Sequence, residues 1–466
     1  MNIKNFLRDK DEKNLLVHIG LAFLIKGFSL LVSMISMPLY IKYFDDNVVL
    51  GLWYTILSIL SWIQLCDLGL GNGLRNRLTE ALAVGNYEKA GKSISSTYMV
   101  LILIMLPTML IGCVAFRLLD FNAFFKVSQT LVPADTLCLT VSVLFCGICL
   151  NFVLKTINVV IYAIQQPSIN NVLALITSIL PLPYIALFKD SSLESNLVAL
   201  TVVHVLTANL PLIVATFMVF RRKELRPIAP RLENCDLNTA KSMLRFGMQF
   251  FLAQIFFMFL TITNEIIIAR VFSAEAVVEY SIYFRLFTTV GSLFMLALTP
   301  LWSKVTKDLA QKEFGKIQKT NKVLYVLSVV AFIAEFALVA ILQFAVDLWL
   351  RDEAIVVNRV TGLVFAFYGG MYILNVVLTT VANGIGDLRT QIVFYGIGSA
   401  LKIPGIYALS GIFGHWRVVV LYNALVMLLF NIVQIIWVEK LLKKLKDEQM
   451  QYIPERSLNL NEEEKL

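Results

Sequence analysis

Twelve long apolar segments occupy most of this chain, and they constrain its fold more than any other feature. Each is about 20 residues or longer, the length that a helix needs to cross the hydrocarbon of a bilayer. With 58% hydrophobic and 15% charged residues, and a mean hydropathy of +0.75, a soluble domain would expose far too much apolar surface. The sequence predicts an all-α polytopic membrane protein with twelve transmembrane helices, at about residues 15–40, 48–69, 94–116, 131–153, 169–188, 196–220, 243–269, 276–302, 323–349, 358–382, 391–411 and 416–438.

The basic residues between these segments predict the orientation. Of the 40 Lys and Arg residues, 29 fall in the N-terminus, the C-terminal tail and the alternate loops that would lie on the same side. Basic loops stay on the cytoplasmic side of a membrane. We therefore expect a multi-pass protein with both termini in the cytoplasm. The same asymmetry explains the net charge of +8, so nucleic acid is not an expected partner.

An internal duplication organises the chain into two halves. Residues 44–53 align without gaps to residues 272–281, and residues 78–83 align to residues 305–310 at nearly the same offset. We expect an N-lobe of helices 1–6 (residues 1–220), a cytoplasmic linker (221–245), a C-lobe of helices 7–12 (246–440) and a cytoplasmic tail (441–466). Two six-helix lobes of equal orientation are a transporter architecture, with the substrate path between them.

Motifs for covalent chemistry and for cofactors are weak in this sequence. The run from Gly85 to Ser93 has one residue too many between its glycines for a phosphate-binding loop, and no strand is expected before it. Cys146 and Cys149 form a C-x-x-C pair without a second pair of ligands, so small buried side chains are the better interpretation. We expect no cofactor, no metal site and no enzymatic activity.

Several motifs resemble one transporter family over essentially the whole chain. They are Pro38–Phe44 (PLYIKYF), Gly51–Trp53 (GLW), Asp67–Ala81 (DLGLGNGLRNRLTEA), Tyr162–Pro167 (YAIQQP) and Thr299–Trp302 (TPLW). Together they are similar to the O-antigen and polysaccharide flippases of the multidrug/oligosaccharidyl-lipid/polysaccharide (MOP) exporter superfamily. The run from Asp67 to Ala81 is the most specific of them.

This resemblance implies a MATE-like, V-shaped pair of bundles in the bacterial inner membrane. It implies alternating access that carries an undecaprenyl-pyrophosphate-linked oligosaccharide to the outer leaflet. Because the chain lacks a nucleotide-binding motif, the energy is expected from an ion gradient, the membrane potential or substrate supply, with H⁺ or Na⁺ as possible coupling ion. A polysaccharide polymerase is a possible partner besides the membrane lipids. A cation-coupled multidrug exporter on the same scaffold is the alternative. A membrane-embedded glycosyltransferase or polymerase would need a large outer loop, and the outer loops here are short.

Charged residues inside the apolar segments are the candidate site residues, because such charges usually face protein or water. We expect Lys26, Arg285 and Lys402 to be cavity cations that offset the substrate's pyrophosphate. Glu265 and Glu335 are candidates for ion coupling. Two alternatives stay open at this point: Glu265 could pair with Arg285, and Glu335 could pack against Lys402.

A further set of polar residues lies at the cytoplasmic end of helix 2. Asp67, Arg75 and Arg77 could form a gate, or the two arginines could only follow the positive-inside rule. The alternating glycines Gly69, Gly71 and Gly73 are expected to let this helix unwind or pack closely. Intramembrane amides such as Asn151, Asn264 and Asn375 could bind sugar hydroxyls or join neighbouring helices.

Overall fold

The computed structural model describes residues 10–64, 69–190, 192–350 and 355–463, and within these ranges the ordered elements are all helical. The predicted all-α fold class is confirmed. In chain order the described helices are α1 (Lys10–Phe44), α2 (Asn47–Gln64), α3 (Leu70–Ala83), α4 (Tyr87–Phe116), α5 (Phe121–Phe125), α6 (Ala134–Leu154), α7 (Thr156–Ala163), α8 (Pro167–Ile179), α9 (Pro181–Leu187), α10 (Leu193–Phe220), α11 (Leu237–Ile262), α12 (Asn264–Val271), α13 (Ala274–Ala310), α14 (Phe314–Ala340), α15 (Leu342–Leu350), α16 (Arg359–Ile385), α17 (Arg389–Ala400), α18 (Lys402–Phe413) and α19 (Val418–Glu463).

The number of membrane spans differs from the twelve expected. In the described residues, 10 helices are long and apolar enough to cross a membrane, and α17 with α18 make an eleventh span if this bent pair is counted as one. The predicted second span is represented only by a shorter apolar helix, Asn47–Ser61. In the described residues each predicted segment is largely helical, but one of them is short and one is sharply bent.

The broken span has a local cause in the sequence. The axes of α17 and α18 differ by 59° across a single residue, Leu401. Pro404 follows the break, and a proline lacks the N–H donor and collides with the carbonyl four residues earlier, here that of Ala400. Pro404 therefore favours a bend in this segment, and Lys402 becomes the first residue of a new helix.

The duplication seen in the sequence recurs in the local structure. The helices α3 and α13 end at Ala83 and Ala310, and the next helices begin at Tyr87 and Phe314, so each boundary repeats after 227 residues. Gly85 and Lys312, also 227 residues apart, both have a positive φ, at 72° and 60°. These similar turns at the same offset agree with the internal duplication predicted from the sequence.

The chain divides into two compact units, residues 1–251 and 252–466. The first has an aromatic core around Phe44 and Trp53, and the second has one around Tyr280, Phe365 and Trp416. The predicted linker 221–245 belongs to the first unit, where it forms the 3-10 turns Arg226–Ile228 and Leu232–Asn234. Two serines of α4 hold this linker in place. The backbone N–H groups of Arg231 and Asp236 donate to the hydroxyl groups of Ser95 and Ser96, each at 3.1 Å.

Candidate functional site

Lys402 lies inside the second unit with only 3% of its surface exposed. Its Nζ donates to the main-chain oxygen of Leu260 at 2.6 Å, to Asn264 Oδ1 at 2.7 Å and to Thr263 Oγ1 at 2.9 Å, and lies 3.5 Å from the main-chain oxygen of Phe259. No carboxylate of the described residues forms an ion pair with it. The side chain predicted to face a substrate cavity is thus enclosed by protein oxygens.

These oxygens converge because the helix is interrupted at Thr263, between α11 and α12. Asn264 is fully buried and is held in place from two sides. Its Nδ2 donates to the Tyr280 hydroxyl at 3.0 Å, and its Oδ1 accepts from Asn423 Nδ2 at 2.9 Å. Asn264 therefore links the helix break to α13, α18 and α19. Of the two roles that the sequence allowed for the intramembrane amides, Asn264 has the one of joining neighbouring helices.

Glu335 on α14 is fully buried, and neither of its carboxylate oxygens has a hydrogen-bond partner among the described residues. It lies against Gly369 of α16, where an added Cβ would be 2.9 Å from the carboxyl carbon. The contact with Lys402 that the sequence left open is not an ion pair. A buried carboxyl group without a hydrogen-bond partner is energetically unfavourable, so Glu335 is a candidate functional residue.

Lys26, Arg285 and Glu265 all have exposed side chains in apolar helices. The predicted pairing of Glu265 with Arg285 is not an ion pair in the described part of the chain. Instead, the guanidinium carbon of Arg285 lies 5.8 Å from the ring centre of Trp349, within the range of a cation–π contact. Lys26 lies in the first unit and Arg285 in the second, and both are accessible for contact with a ligand or with lipid.

Arg75, one of the predicted gate residues, is buried at 5% exposure. Its guanidinium carbon lies 4.5 Å from the ring centre of Tyr162, so two of the five motifs that carry the family resemblance meet in the structure. Burial lowers the pKa of Arg75 to about 10, and the neighbouring Tyr162 acts in the opposite direction. Cations over a desolvated aromatic face gain about 2 kcal/mol.

Arg77, on the same helix, contacts the segment that begins α11. It donates to Ser242 Oγ and lies 6.0 Å from the ring centre of Phe246. Asp67, the third predicted gate residue, lies outside the described residues. The two arginines thus anchor α3 in different directions, and their role as a gate stays a prediction.

Gly69 directly precedes α3 as its N-terminal cap and is in the left-handed conformation, with φ of 64°. A Cβ here would overlap the carbonyl oxygen of Gly247 and lie 2.7 Å from the backbone nitrogen of Phe251. A Cβ at Gly73 would stand 3.3 Å from the nitrogen of Gly247. The predicted close packing of these glycines is confirmed: α3 and α11 meet backbone to backbone.

A cavity of about 220 Å³ in the first unit was not expected from the sequence. Its lining comes from α2, α6 and α10 and is mostly apolar. Its polar lining includes Gln64 and an amide pair, in which Asn151 Nδ2 donates to Asn209 Oδ1 at 3.1 Å. His204 lies beside this pair, and its ring meets Trp53 edge-on at 5.7 Å. Single amides in three separate helices carry no sequence signal that they share a cavity.

Metal ligands do not cluster in the described residues: no group of three or more His, Cys, Asp or Glu side chains could hold a metal ion. Cys146, half of the C-x-x-C pair, instead contacts Cys113, with 3.3 Å between the two sulfur atoms. Both are thiols rather than a disulfide.

Solved structures similar to this one are transporters. A MATE protein in the bent conformation aligns with a TM-score of 0.72 and 13% identity, covering 95% of this chain and 98% of its own. The Vibrio cholerae MATE transporter VcmN, in the bent form, gives 0.68 and 12%, covering 93% and 99%. An outward-facing multidrug resistance MATE family transporter of the MOP superfamily gives 0.69 and 13%, covering 92% and 96%. No family model and no curated protein matches the sequence. Over nearly its whole length, this multi-pass chain has the fold of the MATE transporters.

Proposed function

We propose that this protein is an ion-coupled membrane transporter of the MOP superfamily that works by alternating access. The observation that carries this proposal is the alignment with MATE transporters over more than 90% of both chains. The ten or eleven apolar spans and the repeated half agree with a secondary transporter built from duplicated bundles. The proposed role is movement of a solute rather than covalent chemistry.

The substrate that we propose is a lipid-linked oligosaccharide with a pyrophosphate head, moved from the cytoplasmic to the periplasmic leaflet. The support comes from this chain's own residues. Lys26 and Arg285 are exposed cations in apolar spans, one in each unit, and neither forms an ion pair among the described residues. Such cations stabilise an anionic head in a medium of low dielectric constant. The motif run from Asp67 to Ala81 supports the same branch.

The solved neighbours favour a second candidate, a cation-coupled multidrug exporter, because one of them is described as a multidrug resistance transporter. Glu335 also suits this function, since an intramembrane carboxylate can attract a coupling ion or a cationic drug. Identities of 12–14% indicate a shared fold but do not specify a shared substrate. We therefore base the choice of substrate mainly on this chain's own residues.

Glu335 is our proposed coupling residue, with H⁺ as the ion. A fully buried carboxylate without a hydrogen-bond donor holds a proton readily and releases it only when its surroundings change. Glu265 is exposed and lacks such surroundings, so it is the weaker of the two candidates. Alternation between closed and hydrated surroundings would let Glu335 load a proton on one side of the membrane and release it on the other.

We place the protein in a bacterial inner membrane with both termini in the cytoplasm, since 29 of the 40 basic residues sort to that side. The periplasmic partner would then be the machinery that polymerises the delivered sugar units. This localisation follows from the substrate and from loop charge.

Two transport measurements on the purified protein in proteoliposomes separate the candidates. The first follows a fluorescent lipid-linked oligosaccharide from one leaflet to the other under an imposed pH gradient, and the second follows ethidium uptake under the same gradient. We expect the first to proceed and the second to stay at the level of empty vesicles. The opposite pattern would establish the exporter, and no movement of either compound would contradict both.

A further inference from the structure

We propose that the interruption between α11 and α12 is a monovalent-cation site that the chain fills with the ammonium group of its own Lys402. Four oxygen atoms surround Nζ at 2.6–3.5 Å, two from the main chain, one from a hydroxyl and one from an amide. All four come from the six-residue segment Phe259–Asn264. This proposal concerns ion binding and is independent of the transported substrate.

The helix break explains why a cation belongs there. The last carbonyl groups of a helix have no partner within the helix and carry a partial negative charge. In transporters with discontinuous membrane helices, unwound carbonyls and helix C-termini coordinate Na⁺ or H⁺. Here the carbonyls of Phe259 and Leu260 stand at such an end, and the tethered ammonium takes the position of the free ion.

The four oxygen atoms around Nζ form a ligand shell without net charge, which suits a monovalent cation. All the ligands are neutral, and Lys402 has no ion pair with a carboxylate of the described residues. Divalent ions such as Ca²⁺ rely on carboxylate oxygens that this shell lacks. Ammonium and potassium ions have nearly equal radii, so the N–O distances of 2.6–2.9 Å fit potassium better than sodium.

The shell is held in place by contacts that do not involve Lys402. Tyr280 and Asn423 fix the amide of Asn264, and Thr263 Oγ1 donates back to the Phe259 carbonyl at 2.6 Å. Shortening Lys402 would therefore leave the oxygens converging on an unfilled space. Because unpaired buried oxygens are unfavourable, such a variant should take up a small cation from solution.

The test compares thermal unfolding of the purified full-length protein in choline, sodium, potassium and ammonium chloride at equal ionic strength. We expect Lys402→Ala to unfold at least about 3 °C higher in potassium or ammonium chloride than in choline chloride, because binding to the folded state raises its stability. Wild type, and Lys402→Met, whose side chain refills the space without a charge, should show the same midpoint in all four salts. Equal midpoints for Lys402→Ala in the four salts would overturn the proposal.

A second pair of variants keeps Lys402 and decides the matter if Lys402→Ala does not fold. Asn264→Asp retains an oxygen that can accept from Lys402, Tyr280 and Asn423, and it adds a negative charge beside the ammonium. Asn375→Asp is the matched control, because Asn375 is equally buried and bonds to Tyr395 and Asn431 with no cation nearby. We expect Asn264→Asp to unfold at or above the wild-type midpoint and Asn375→Asp to unfold below it.

Equal losses of stability in the two Asp variants would mean that Lys402 is not a charged occupant. All of these measurements follow unfolding alone. A failure of the proposed transport function would leave them unaffected, and a failure here would leave the transport proposal standing.

Discussion

The carboxyl group of Glu335 on α14 is packed directly against the α-carbon of Gly369 on α16, so that an added Cβ would meet its carboxyl carbon at 2.9 Å. Only glycine leaves room at this point for a buried acid between two membrane helices. The neighbouring Gly370 serves a different purpose, because a Cβ there would overlap the ring of Phe332. Two adjacent glycines therefore accommodate two different side chains of the same helix.

This difference predicts unequal effects of the two alanine substitutions. Gly370→Ala should lower stability by about 1–3 kcal/mol, since an aromatic ring packed against Phe336 cannot move aside without straining the core. Gly369→Ala should cost less, because the carboxylate is the end of a flexible side chain. Chemical denaturation of both variants in detergent checks the order, and an equal loss would contradict it.

Glu335→Gln should abolish transport driven by a pH gradient while leaving the fold intact, because the amide fills the same space but cannot exchange a proton. Substrate exchange between vesicles without a gradient should persist. Glu265→Gln is the matched control, the same chemical change at an exposed position, and should transport as wild type does. Gradient-driven transport that survives Glu335→Gln would remove Glu335 from the coupling mechanism.

Gly69→Ala should be strongly destabilising, by about 3 kcal/mol or more, because the new methyl group would collide with backbone atoms of Gly247 and Phe251 at a left-handed φ. Gly85→Ala separates the two causes. Its φ of 72° imposes the same backbone strain, but nothing lies within 4 Å of an added Cβ, so only about 1–2 kcal/mol should be lost. Comparable losses would mean that the close approach of α3 to α11 has no energetic weight.

Lys26→Ala and Arg285→Ala should each abolish movement of the lipid-linked oligosaccharide while the protein still inserts and folds. Lys26→Arg should retain more activity than Lys26→Ala, since it keeps the positive charge. Circular dichroism and detergent gel filtration verify the fold, and the leaflet assay measures transport. Normal transport by both alanine variants would rule out the cationic recognition of the pyrophosphate.

The proposed topology predicts the accessibility of two positions in intact cells. In a cysteine-free background, a membrane-impermeant maleimide added from outside should label a cysteine in place of Ser192 but not one in place of Glu233. The reason is that Glu233 lies in the basic linker, which is expected to stay in the cytoplasm. Labelling at Glu233 alone would reverse the orientation.

The sequence alone predicts that this is a helical membrane protein. In lipid the backbone N–H and C=O groups of a spanning segment have no water to bind, so they must form hydrogen bonds within the segment. The apolar segments and the repeat after 227 residues are both local properties. They depend on residues near one another in the chain or on a pattern of fixed period. The break at Leu401 also belongs here, because Pro404 favours it.

The environments of the individual charges were decided by tertiary structure. Lys402 is a lysine in an apolar segment by sequence, but it is enclosed because a helix break 138 residues earlier supplies the oxygens. The sequence predicts similar membrane depths for Glu265 and Arg285. Depth does not specify the direction in which a side chain leaves its helix, and in the described residues the two do not form an ion pair. Glu335 is buried only because α16 presents a glycine opposite it. Hydropathy shows which segments lie in the membrane. It does not show how each helix is rotated about its axis, and this rotation decides which residues surround each charge. The rotation is set by packing against the other helices.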